Sequence, residues 1–147
     1  MKKIFYIVLI LILTACGSTS TEFDKNLTKW NESGVSHYRF QLVVGCFCPF
    51  SDINPLTIEV KDNQVLSMMG ANGVEILDTD PLYPLLMNYA TVDNLFTWTT
   101  DVLANADEVE VTYDATYGFP DNISVDYIEE AIDDEIGVRI SNFEVLE

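Results

Sequence analysis

The chain has 147 residues, of which 24 are acidic and 7 basic, for a formal net charge of −17 at pH 7. A surface this acidic repels phosphate backbones and anionic lipid, which excludes nucleic acid as a partner. Hydrophobic residues make up 48% and aromatic residues 12%, enough to exclude a disordered chain and to fill one core.

Lys2 and Lys3 precede an unbroken apolar run of ten residues, Ile4 to Leu13. A bilayer-spanning helix needs about 20 apolar residues, so this run has the layout of a cleavable signal peptide. It ends in Leu13-Thr14-Ala15-Cys16, which resembles the lipobox of bacterial lipoproteins. The resemblance implies cleavage before Cys16, a diacylglyceryl thioether on the Cys16 sulfur and acylation of the new amino terminus. Only a thiol can form that thioether, and a single acyl chain anchors only marginally and reversibly. By the same resemblance, Gly17 in place of Asp after the cysteine implies the outer membrane if the cell has two.

The expected layout is a signal peptide over 1–15, the lipidated Cys16 with a short polar tether over 16–21, and a single domain over 22–147. Loss of Lys2 and Lys3 takes the mature charge to −19. Between Asp62 and Glu147 there are nineteen acids and one base, Arg139, so only the lipid can hold the protein to its membrane.

Phe23, Leu27 and Trp30 fall at helical spacing and predict a first helix from Glu22, stopped by Gly34. Tyr38, Phe40, Leu42 and Val44 alternate with His37, Arg39, Gln41 and Val43, which predicts a strand running into Cys46-Phe47-Cys48-Pro49. Leu56, Ile58 and Val60 form a second alternating run, turned by Asp62-Asn63 into a third over Val65 to Met69. Val74 to Leu77 reads as a further short strand, and the prolines of Asp80 to Pro84 as irregular chain. Thr91 is a good N-cap for a second helix, whose stripe is Val92, Leu95, Phe96, Thr99, Val102, Leu103 and Ala106. Three more strands follow, around Val109 to Tyr113, Ile123 to Tyr127 and Val138 to Val145, the last with a bulge near Ser141-Asn142.

This is the pattern of an α+β single domain, with two amphipathic helices on one face of a mainly antiparallel sheet in the order α-βββ-α-βββ. The two halves point to a weak internal duplication. Trp30, Tyr38, Cys46-Phe47-Cys48, Thr91-Val92 with Leu95-Phe96, Tyr113-Asp114, Tyr117-Gly118-Phe119-Pro120 and Asp133-Asp134-Glu135 together resemble a family of exported lipoproteins, the domain of unknown function DUF6174. That resemblance implies one exported domain and no catalytic activity.

With Cys16 lipidated, Cys46 and Cys48 form an even pair in an oxidising compartment. In an extended strand, Cα atoms two residues apart lie about 6.5–7 Å from each other, at the limit for a disulfide. A local bridge therefore requires the chain to tighten into a turn. Two other readings stay open: a redox-active pair, and a metal site formed with His37. The redox reading lacks a CxxC motif to lower a thiol pKa, and the metal reading lacks a fourth ligand. His37 is the only histidine, and no Gly-x-Ser-x-Gly elbow is present, so hydrolase schemes have nothing to build on.

Asp114, Tyr117, Gly118, Phe119 and Pro120 form the richest segment, read either as a turn capped by Asp114 or as an exposed recognition surface. Asp121 to Glu135 holds seven acids, with Asp114 just before them. Asp126 stands where a calcium loop starting at Asp121 needs glycine, so a solvated acidic loop is expected over a calcium site. The sequence thus describes a lipid-anchored envelope protein, facing outside the cytoplasm and leaning away from catalysis. It has no cofactor or metal of its own. Its partners are the membrane, through its lipid, and a protein or cationic ligand. The alternative is a thiol-redox or metal-dependent protein using Cys46 and Cys48.

Overall fold

The computed structural model describes residues 18–147, so the expected signal peptide and the lipobox-like segment with Cys16 lie outside the described residues. The elements run α1 (Ser18–Glu32), β1 (His37–Gly45), β2 (Leu56–Lys61), β3 (Gln64–Met69), α2 (Tyr83–Leu86), α3 (Val92–Asn105), β4 (Glu108–Tyr113), β5 (Pro120–Asp126) and β6 (Ile136–Val145). The fold is α+β: helices with one six-stranded antiparallel sheet of order β3-β2-β1-β6-β5-β4. Helix α1 begins earlier than Glu22, so the residues of the expected tether from Ser18 onward are helical.

The period-two patterns explain the sheet. β1 alternates half-buried and buried residues along its length, and its buried Tyr38, Phe40 and Leu42 pair with Val60, Ile58 and Leu56 of β2. On its other side Leu42 and Val44 pair with Ile140 and Val138 of β6, and Ile123 and Val125 of β5 continue the same layer. Trp30 from α1 and Val92, Leu95, Phe96 and Val102 from α3 complete this cluster.

Local chemistry sets the boundaries. Asp62 and Asn63 both take positive φ, 50° and 59°, as a two-residue hairpin turn of the type favoured between twisted strands requires. The Thr91 hydroxyl accepts the Asn94 N–H at 3.1 Å and caps α3. The register between β1 and β6 slips between Arg39 and Gln41, where Asn142 sits at φ 52° and donates its amide to Gln41 Oε1 at 2.7 Å.

Three details differ from the sequence expectation. Val74 to Leu77 is not a strand: it touches β3 through one bridge, Met69 to Glu75, and an Ile76 N–H bond to the Met68 carbonyl. The segment around Pro84 contains the one-turn helix α2, with the proline in its first turn, where its missing N–H costs nothing. The internal duplication is also absent. Laying β1–β3 over β4–β6 keeps their order across the sheet but reverses every strand, which a rotation achieves only by turning the sheet over. A repeated unit would then carry its helix to the opposite side, whereas residues of α1 and α3 share one core cluster.

Candidate functional site

The chain leaves β1 at Gly45 and turns at once. The Cys48 N–H donates to the Cys46 carbonyl at 2.8 Å, closing a three-residue turn. This turn pulls the two Cα atoms to 5.1 Å and brings the sulfurs into close contact, which extended backbone would not allow. Phe47 at its tip is 85% exposed. His37 sits at the other end of β1, roughly 30 Å away by strand rise. There its Nε2 lies 3.0 Å from Glu59 Oε1, and its Nδ1 3.2 Å from the Glu147 carbonyl. A metal site or catalytic pair uniting His37 with the cysteines is therefore ruled out by distance.

The Tyr113 to Pro120 segment is a packing device. Asp114 Oδ1 accepts the N–H groups of Thr116 at 2.9 Å and Tyr117 at 2.6 Å, and the Gly118 N–H returns to the Asp114 carbonyl at 2.9 Å. Gly118 takes φ +82°, and a Cβ there would stand 2.7 Å from the Asn26 carbonyl of α1. Phe119 is buried against Trp30 and Phe143, with ring centroids 6.2 and 4.4 Å away. Gly118, Phe119 and Pro120 are all buried and Tyr117 is half-buried, so the exposed recognition surface read from Asp114, Tyr117, Gly118, Phe119 and Pro120 is corrected to an internal joint. Aromatic residues beside glycine and proline serve either purpose in a sequence; only the course of α1 decides between them.

Three of the exposed large apolar side chains, Phe47, Ile128 and Ile132, belong to segments at the opposite end of the sheet. Gly45 pairs with Gly137, so the Cys46–Cys48 turn emerges beside the loop that joins β5 to β6. That loop exposes Ile128 (58%) and Ile132 (86%), and the Asp107 carboxylate pins it by accepting the Glu129 N–H at 3.1 Å. Glu129, Glu130, Asp133 and Glu135 are exposed around the two isoleucines. Asp126 Oδ1 and both carboxylate oxygens of Asp134 are buried without hydrogen-bond partners. Among the described residues no group of three or more His, Cys, Asp or Glu side chains is placed to hold a metal ion.

A cleft of about 210 Å³ opens at the end of the sheet where β1 begins, lined by Trp30, Tyr38, Ser36, Asp62, Asn63 and Asp93 among others. Trp30 Nε1 donates to Asp93 Oδ1 at 2.9 Å, and the Tyr38 hydroxyl accepts the Val92 N–H at 3.0 Å. Burial, reinforced by the Asp93 charge, holds the Tyr38 hydroxyl protonated far above the usual tyrosine range.

A family model described as a family of unknown function, DUF6174, matches residues 22–145. The chain belongs to that family. No curated protein and no solved structure matches it. The match to the DUF6174 model takes in α1 from Glu22 on, α2 and α3, the whole sheet, the cysteine turn and the Tyr113 to Pro120 joint. It assigns none of them an activity.

Sequence reasoning missed the cleft and the isoleucines. The cleft draws on α1, β1, the β2–β3 turn and α3, which no short motif spans. Ile128 and Ile132 did carry a signal, since they break an otherwise acidic loop four residues apart.

Proposed function

We propose that this chain is a lipid-anchored module of the bacterial cell envelope that works by binding rather than catalysis. The two long helices α1 and α3 cover one face of the sheet, and the molecule presents the end remote from α1 to a cationic polypeptide. The observation that carries this reading is the exposure of Phe47, Ile128 and Ile132 at one end of the sheet, the two isoleucines in a loop whose Glu129, Glu130, Asp133 and Glu135 are also exposed. Covering a large apolar side chain contributes about 1.5–3 kcal/mol, and a one-signed rim speeds encounter with an oppositely charged partner.

The test is a titration of the full chain, in neutral detergent, with an amphipathic Lys/Leu peptide and with the same peptide bearing Glu in place of Lys. The Lys peptide is expected to bind in a salt-sensitive way, at least tenfold more weakly to Phe47→Ser with Ile132→Ser, and the Glu peptide not at all. Equal affinity for wild type and the double variant would remove the reading.

A second reading, thiol–disulfide exchange at Cys46 and Cys48, is favoured by the contact of the two sulfurs in a turn whose tip is exposed. A ring this small, once oxidised, would be open to thiolate attack. If glutathione neither reduces the pair nor forms a mixed disulfide with it, exchange chemistry is excluded and the turn serves only to hold Phe47 out.

A further inference from the structure

The cleft beside Trp30 has a chemistry of its own. Its charged lining residues are Asp62, from the β2–β3 turn, and Asp93, from the first turn of α3; no basic residue lines it. The last turn of α1 ends at its wall, and the carboxyl end of a helix carries partial negative charge. Asn31, Asn63 and Ser36 add neutral acceptors. Trp30 forms a rigid floor, packed edge-to-face on Tyr38 with centroids 5.5 Å apart and fixed to Asp93 by its indole N–H. This is a surface for one small cation.

A second observation narrows the ligand. Tyr38 is 2% exposed, and its hydroxyl oxygen already accepts the Val92 N–H. Among the described residues nothing accepts the proton of that hydroxyl. A buried hydroxyl with its donor unused costs stability until it meets an acceptor. Because burial keeps this hydroxyl protonated, the donor persists across the working range of pH. A quaternary ammonium would offer the carboxylates no N–H donor, whereas a primary ammonium offers three.

We propose that this cleft binds a small primary amine carrying an oxygen acceptor, of the ethanolamine type. Its ammonium lies between Asp62 and Asp93, and its oxygen accepts from Tyr38. The same chemistry occurs in free ethanolamine and in the headgroup of phosphatidylethanolamine. The second source rests on the lipid anchor proposed above, which would hold α1 near the membrane; α1 runs along this end of the sheet, with Glu22 near Tyr113 at the end of β4 and Trp30 against Tyr38 at the start of β1.

The experiment uses the full chain in neutral detergent with Trp98→Phe, which leaves Trp30 as the only indole of the two tryptophans. Ethanolamine is titrated against Trp30 fluorescence, with ethylene glycol as the uncharged control. A saturable change is expected with ethanolamine and none with ethylene glycol. Asp62→Asn and Asp93→Asn should each weaken binding about three- to fivefold, the scale of an exposed ion pair. Asn suits the positive φ of position 62 and keeps an acceptor for the Trp30 indole at position 93, so both variants should retain the fold. Co-sedimentation with phosphatidylethanolamine vesicles, against phosphatidylcholine vesicles, then separates the sources. A preference for the former assigns the lipid headgroup, and equal sedimentation with saturable ethanolamine binding assigns the free amine. No saturable change with ethanolamine, the same change with ethylene glycol, or undiminished binding by both Asn variants would overturn the proposal.

Discussion

At the scale of single residues, buried hydroxyls are the most informative groups. Tyr113 Oη is buried with no hydrogen-bond partner, and burial, reinforced by the Glu22 charge, pushes its pKa up to about 12. Tyr113→Phe removes that orphan group while keeping the ring. Urea unfolding should show it no less stable than wild type, and by up to about 1 kcal/mol more stable; a larger loss than that would mean the hydroxyl has a partner. Tyr89, also held at about 12 by burial, belongs to the same titration. In each case the folded pKa lies above the unfolded value of 10.0, so the stabilising contribution is complete below pH 10 and falls as pH rises through the folded value. The melting temperature should therefore drop between pH 10 and pH 12, and drop less in Tyr113→Phe.

No property of the sequence around Tyr113 separates it from Tyr117 four residues later. Both rings are half-buried, but the Tyr113 hydroxyl is enclosed without a partner whereas Tyr117 packs at the edge of Phe143, 5.5 Å between centroids. Cys46 and Cys48 were easier to read: their spacing implied that any bridge needs a tight turn, and the Cys48 to Cys46 backbone bond supplies one.

At the scale of elements, period and caps carried far. The alternation of β1 predicted which residues are buried, and Thr91 predicted where α3 starts. The joint between α1 and the β4–β5 turn was not readable, because it depends on a helix some ninety residues earlier passing over Gly118. That joint is testable. Gly118→Ala adds a Cβ 2.7 Å from a backbone carbonyl at φ +82°, so either α1 moves or the turn strains. A loss of about 2–4 kcal/mol in urea unfolding is expected. A loss below about 0.5 kcal/mol would show that α1 does not press on the turn.

At the scale of the molecule, the two ends of the sheet differ. Lys25, Lys29, Arg39 and Lys61 lie on α1 or toward the start of β1, as their register and the Lys29 bond to the Ala115 carbonyl place them. The far end, around the Cys46–Cys48 turn and the β5–β6 loop, carries exposed carboxylates and apolar tips. Composition alone showed only the sum, −17, and hid that four bases sit toward one end while carboxylates, Asp62 and Asp93 among them, sit at both. The proposed anchor would place the end nearest the start of α1 toward the membrane and the Cys46–Cys48 end away from it.

The orientation hangs on Cys16. The direct measurement is mass spectrometry of the amino-terminal peptide of the full chain expressed in bacteria. An amino terminus at Cys16 carrying a thioether-linked diacylglyceryl group is predicted, with Cys16→Ala left unprocessed. A chain that begins at Met1 with a free thiol at Cys16 would contradict it.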